Sequence, residues 1–214
     1  MHFEILVEDA SCERMLERLM PKLLPAADTF RIHSYKGCGS IPGNLKTVQD
    51  PAKRILLDQL PRLLRGYGKT YRADPSQGIV VVICDLDDRN RDSFTAELNN
   101  VLEHCNPAPV TRFCLAVEEG EAWLLGDKDA IYAAYPKAKK AVLDSYVNDS
   151  ICGTWEVLAD ALYRGGHTTL EKLGYQAVGT EKSEWAIHIT PHMDVLHNQS
   201  PSFNEMKQSI DDFK

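Results

Sequence analysis

An uninterrupted apolar run, Ile79 to Ile83 (IVVVI), passes through Cys84 into Asp85, Leu86, Asp87 and Asp88, and few folds accept such a segment. A strand with one wet face alternates apolar and polar residues. A run with no polar position is buried on both faces, which calls for a parallel sheet covered by helices on each side. Open sheets of that kind bind ligands beyond the carboxyl ends of their strands, where these acids fall. In extended backbone the side chains of Asp85 and Asp87 point the same way and that of Asp88 the other way. A hard divalent cation would relieve the repulsion among them.

Phe3 to Val7 reads as a first strand ending in Glu8 and Asp9, followed by a helix capped by Ser11 with Met15, Leu16, Leu19, Met20, Leu23 and Leu24 on its apolar side. Phe30 to Tyr35 fits a second strand, and Gly37, Gly39, Pro42 and Gly43 then mark a loop. That loop lacks the Gly-Lys-Ser/Thr ending of a Walker phosphate loop. A helix is predicted over Ala52 to Arg65, kinked or divided at Pro61. Beyond the central strand, Asp92 or Ser93 opens another helix, and a fourth strand spans Thr111 to Val117. Strands alternating with helices give an α/β domain with a largely parallel sheet.

After about Gly126 strand signals fade. Helical patterns follow around Ala130 to Tyr135, Thr154 to Tyr163 and Ser183 to Leu196. Ser202 and Glu205 form a capping-box pattern for a last helix whose apolar stripe is Phe203, Met206, Ile210 and Phe213. The 214 residues therefore divide into an α/β core over 1–126 and a helical carboxyl-terminal extension over 127–214 packed on it.

A net charge of -7 excludes a protein that coats nucleic acid indiscriminately through lysine and arginine contacts. A local basic track remains: Lys46, Lys53, Arg54, Arg62, Arg65, Lys69 and Arg72 outnumber Asp50 and Asp58. The alternative for it is a solvated helix face. No apolar run approaches the ~20 residues that span a bilayer, and Met1 to Val7 carries no leader features, so a cytoplasmic location without membrane contact is expected. Six cysteines without a CxxC pair read as reduced thiols.

Acids follow three strand ends: Glu8, then Asp85 and Asp87, then Glu118, Glu119 and Glu121. If those strands are parallel neighbours, the carboxylates converge, and a pair about 4 Å apart repels by a few kcal/mol at intermediate dielectric. Magnesium suits such a site because it takes oxygen ligands, keeps waters and bridges to substrate phosphates. Metal-assisted phosphodiester cleavage or phosphoryl transfer is the chemistry implied. Acids after strands also cap helices or pair with bases, as Asp88 would with Arg89 and Arg91.

A strand ending in Glu8 followed by one ending in Asp85-Leu86-Asp87 resembles the TOPRIM fold of topoisomerases, bacterial primases and the overcoming-lysogenization-defect nucleases. The whole chain is similar to a TOPRIM-like family of bacterial proteins of unknown function. The similarity runs through Leu6 to Glu13, Val81 to Asp87, Phe113 to Asp127, Asp149 to Asp160 and Glu184 to Phe203. The resemblance implies a glutamate, Glu8, in acid-base or metal work and two aspartates, Asp85 and Asp87, on Mg2+ or Mn2+. It also implies that Lys182 stabilises phosphate charge, that DNA or RNA is the substrate, and that an AAA- or ABC-type ATPase is a partner, in the manner of a defence system. Related sequences read Val-Glu-Gly, then a threonine and paired glutamates. Here Asp9 follows Glu8, leaving Glu13 to stand in for the later acid. The rival implication is a non-catalytic effector or regulatory partner of such an ATPase.

Other chemistries fit less well. His188, His192 and His197 invite zinc, but Pro191 lies between the first two and no glutamate occupies the HExxH position. No Gly-x-Ser-x-Gly elbow occurs, and no cysteine has an evident activating histidine. Trp123 and Trp155 read as packing residues rather than base-stacking platforms.

Overall fold

A computed structural model describes residues 1–45 and 50–213 of the chain. Four parallel strands, β1 (His2–Val7), β2 (Thr29–Ser34), β3 (Gly78–Asp85) and β4 (Val110–Ala116), form one sheet in the order β2-β1-β3-β4. The fold is thus α/β with an all-parallel sheet. Every residue of β3 is buried, as its unbroken apolar run requires.

Parity sorts the strand residues between two cores. Phe3, Ile5, Val7, Ile79, Val81 and Ile83 face one side, where they meet α1 (Ala10–Leu23) and the carboxyl-terminal helices. Leu6, Val80, Val82 and Cys84 face the other, against α2 (Leu56–Thr70) and α3 (Arg91–Glu103). Burying each large aliphatic side chain contributes about 1.5–3 kcal/mol.

Six further helices complete the first side: α4 (Glu121–Leu125), α5 (Lys128–Ala134), α6 (Lys140–Ser145), α7 (Thr154–Leu162), α8 (His167–Glu171) and α9 (Tyr175–Ile189). The last helix, α10 (Pro201–Asp211), lies against β4. One apolar cluster includes Phe3 and Leu16 as well as Trp123, Trp185 and Phe203. Polar bonds tie the same layers together. Lys22 Nζ donates to the carbonyls of Thr190, Pro191 and Met193 at 2.8–3.0 Å, satisfying acceptors at the end of α9 and the turn beyond it. Trp123 donates its indole N–H to Ser202 Oγ at 3.0 Å and packs edge-on to Phe203.

Several local expectations are corrected. Asp9, not Ser11, caps α1 by accepting the Cys12 N–H at 2.8 Å. Asn90, not Asp92 or Ser93, caps α3. Ser200 caps α10 with Pro201 at the first helical position, which suits a residue without an N–H. Ser202 is thereby freed for Trp123, and Glu205 pairs with Arg91 at 2.6 Å instead of closing a capping box. Pro61 does not divide α2; it is buried and the helix continues through it. Helix α9 begins eight residues before Ser183 and ends at Ile189, where Pro191 cannot continue the ladder, so His188 and His192 do not share a helix.

Gly68 in α2 is a close-approach position: a Cβ there would lie 1.9 Å from the Pro107 carbonyl oxygen. Gly68→Ala is expected to destabilise the protein by about 1–3 kcal/mol through overpacking, although helix propensity alone favours alanine by about 1 kcal/mol. A urea midpoint equal to or above that of the wild type would contradict this packing.

Candidate active site at the exits of β1 and β3

Between β1 and β3 the chain order reverses: β1 leads outward to β2, and β3 leads outward to β4. This is the topological switch point, where the diverging connections of an open parallel sheet leave a crevice. Glu8 and Asp85 stand there. They approach from opposite pleats, Glu8 following Leu6 toward the α2–α3 side and Asp85 following Val81 and Ile83 toward α1. Glu8 Oε2 accepts the Asp85 backbone N–H at 3.3 Å.

The two carboxyls are held in an environment that opposes their ionisation. Burial, followed by the neighbouring Cys38, pushes Glu8 up to about 8, against hydrogen bonds from Asp85. Burial and the charge of Glu8 raise Asp85 well above the ordinary carboxylate range. Asp9 and Glu121 add to the negative field at Asp85, and Lys182 opposes it.

Lys182 comes from α9 and is mostly buried. Its ammonium lies 3.1 Å from Glu121 and 3.6 Å from Glu119. Burial lowers its affinity for a proton, but the surrounding carboxylates, led by Glu121, more than reverse this and hold it protonated. Glu119 is pushed up to about 7 by burial and by the charge of Glu121. Glu121, itself buried, is raised by desolvation against the pull of Lys182. Four acids (Asp9, Asp85, Glu119 and Glu121) thus act on one internal cation, and Glu8 reaches Asp85 from the other pleat.

Asp87 does not join this face. The strand ends at Asp85, and Asp87 adopts φ +50, a left-handed conformation that aspartate tolerates better than most residues. Its N–H donates to the Glu118 carbonyl at 3.0 Å, forming a lone antiparallel bridge between the exits of β3 and β4. Strand alternation therefore lapses before Asp87, whose exposed carboxylate lies 3.4 Å from Arg89. Arg89 and Arg91 pair with Asp87 and Glu205, not with Asp88.

Two other acids have structural partners. Glu118 accepts the backbone N–H groups of Cys152, Gly153 and Thr154 at 2.7–3.2 Å and so closes the start of α7. Glu13 accepts from Ser34 Oγ, at the end of β2, at 2.7 Å.

Sequence reasoning missed Cys38. The loop after β2 is drawn against the sheet by Gly37, whose N–H donates to the Glu8 carbonyl at 2.8 Å, and Cys38 caps α2 through its own carbonyl. Its sulfur accepts from Arg89 Nη1 at 3.3 Å. Hydrogen bonding from Cys84, with help from Arg89 and against burial, brings the Cys38 thiol down to about 6. The arginine four residues after the last residue of β3 was the available signal; the cysteine, in a loop of glycines, gave none.

Among the described residues, no three histidine, cysteine, aspartate or glutamate side chains converge as a ready metal shell. Glu8 and Asp85 nevertheless suit magnesium in kind: it needs one or two carboxylates and fills its shell with waters and substrate phosphate. The basic track is thinner than its composition implies. Arg54, Arg62 and Arg65 donate to Ser34, Gln59 and Leu45, Lys46 lies outside the described residues, and Lys53, Lys69 and Arg72 are exposed. No described helix is long and apolar enough to cross a membrane. No protein-family model, curated protein or solved structure matches the chain.

Proposed function

We propose that the chain is a metal-dependent phosphodiester hydrolase or related phosphotransfer enzyme of TOPRIM type, acting on nucleic acid. The observation that carries this reading is the meeting of Glu8 and Asp85 at the switch point, both raised by burial, with the charge of Glu8 adding to the rise at Asp85. Glu8 and Asp85 would hold magnesium or manganese, which when bound supplies Lewis-acid polarisation of a phosphoryl oxygen and a more acidic water.

The chain's own part is to place and time protons. Glu8, once ionised, is an acceptor for the proton of an attacking water. General-base catalysis of this kind contributes about 10²–10⁴-fold. Lys182 fixes Glu121 and Glu119 and offsets part of the charge at Asp85. It is therefore a positioning residue here, not the free phosphate-binding lysine that the resemblance implies. Asp87, paired with Arg89, stands at the rim.

The test is cleavage of single-stranded DNA, double-stranded DNA and structured RNA in magnesium and then manganese. Asp85→Asn is expected to lower the rate by at least about 100-fold while its circular dichroism matches the wild type. Full activity in that variant would exclude the acid cluster as the reaction centre. A second reading, a non-catalytic partner of an AAA- or ABC-type ATPase, draws on the outward turn of Asp87 and the commitment of Lys182 to Glu121. It predicts co-purification with an ATPase and no metal-dependent cleavage by the complex.

A further inference from the structure

A cleft of about 380 Å³ opens beside the acid cluster. Asp9, Glu119 and Lys182 line it from the cluster, and Trp155, Glu171 and Tyr175 line it from α7, α8 and α9. This volume is at the small end of the range for small-molecule sites, about 300–1,000 Å³. It admits one planar group and no duplex.

The two aromatics are placed as a binding surface is. Trp155 packs against the core yet keeps part of its indole exposed, unlike Trp123, which is fully buried with its N–H bonded. Tyr175 is 97% exposed, so its ring contributes almost nothing to the core. An aromatic so exposed at the mouth of a cleft, next to a partly buried tryptophan, offers π-faces to a flat ligand.

Charge narrows the class. Three carboxylates and one ammonium line the cleft, and that ammonium is engaged by Glu119 and Glu121. A phosphate would be repelled there. A neutral base is not, and its exocyclic amino group can donate to carboxylate oxygens, as cytosine N4 does to Glu or Asp. The sugar-phosphate chain would then run outside the cleft, toward Asp85, the acid of the pair on the α1 side of the sheet.

We infer that the cleft receives one unpaired nucleobase, stacked between Trp155 and Tyr175, so that the acid cluster works on single-stranded or extruded nucleic acid and not on intact duplex. This rests on the hydrolase reading for its substrate class. Bases inside a duplex are stacked and cannot enter such a pocket without being flipped out.

The test is equilibrium binding of a short fluorescein-labelled single strand and of the blunt duplex of the same sequence, with calcium in place of magnesium so that binding is read without turnover. Wild type is expected to prefer the single strand by roughly tenfold or more, the order of one base–aromatic stack. Trp155→Ala is expected to lose roughly tenfold in single-strand affinity, with Trp155→Phe restoring most of it. Tyr175→Ala gives an independent reading, because an exposed side chain can be removed with little effect on stability. Wild-type affinity in both alanine variants, equal affinity for duplex, or no single-strand binding by wild type would each overturn the assignment. If Asp85→Asn loses cleavage while Trp155→Ala and Tyr175→Ala both bind as wild type does, the acid cluster stands and the cleft assignment falls. If single-strand binding follows Trp155 but no phosphodiester is cut, the cleft stands and the hydrolase reading falls.

Discussion

Lys182→Met is expected to lower the unfolding free energy by about 3–5 kcal/mol, the usual cost of removing one partner from a buried ion pair. For a chain of this size that corresponds to a fall in melting temperature of roughly 6–20 °C. The lysine is the only ammonium or guanidinium paired with Glu119 and Glu121 among the described residues, and Glu121 keeps only 4% of its side-chain surface exposed. Methionine fills similar space without charge, so the loss reports the uncompensated carboxylates and not a cavity. Two features distinguish this from loss of packing. The deficit should shrink at acid pH, where Glu121 and Glu119 take up protons, and Lys182→Met combined with Glu121→Gln should recover most of it in a double-mutant cycle. An unfolding free energy within about 1 kcal/mol of wild type at pH 8 would contradict a buried pair, since surface pairs are worth that little.

That pair also shows where the sequence stops being informative. The central strands are legible because Ile79–Ile83 is apolar on both faces, because Phe3–Val7 is interrupted only by Glu4, and because Pro, Gly and Asp punctuate the chain around them. Parallel pairing then places Glu8 and Asp85 at one edge. The side chains around them depend on contacts that no local pattern encodes. Glu121 is reached by Lys182 from a helix 61 positions later. Glu118, which looks like the same kind of acid as Glu119, is drawn off to the start of α7.

Strand alternation holds only while the backbone is extended. It fails between Asp85 and Asp87 because the chain must leave the sheet, and the left-handed turn at Asp87 is set by its bridge to Glu118. Capping residues are misread for a related reason. Ser11, Ser93 and Ser202 are as suitable chemically as Asp9, Asn90 and Ser200, and the choice between them is made by where the preceding strand or loop releases the chain. The terminal stripe of Phe203, Met206 and Ile210 is legible as a buried face, while its partner, β4 with Trp123, is not.

Glu8→Gln is expected to make the metal-free protein more stable at alkaline pH. The folded-state affinity of Glu8 for a proton, about 8, lies above its ordinary value of 4.5. Between those two values the folded chain retains a proton that the unfolded chain releases, so the unfolding free energy falls as pH rises across that window. The contribution is intact below about 4.5 and fully lost above about 8. Asp85, raised for the same reason, acts in the same direction. Glutamine stays neutral at every pH and keeps an oxygen for the Asp85 N–H, so the variant escapes the loss. At 1.36 kcal/mol per pKa unit, discounted for the solvent that still reaches the group, the gain should be about 2–4 kcal/mol near pH 8.5 and close to zero near pH 4.5. Urea unfolding at both pH values in a chelating buffer measures it, and parallel pH profiles for the two proteins would show that Glu8 is not held protonated by the fold. Magnesium supplies the converse test. A cation bound by the folded state alone adds about 2.7 kcal/mol at 100 times its dissociation constant. Wild type should gain that stabilisation more readily at pH 8.5 than at pH 6, because binding must displace the proton, and Glu8→Gln should gain little at either pH. An acid placed so that its ionised form strains the fold until a cation arrives is costly to keep.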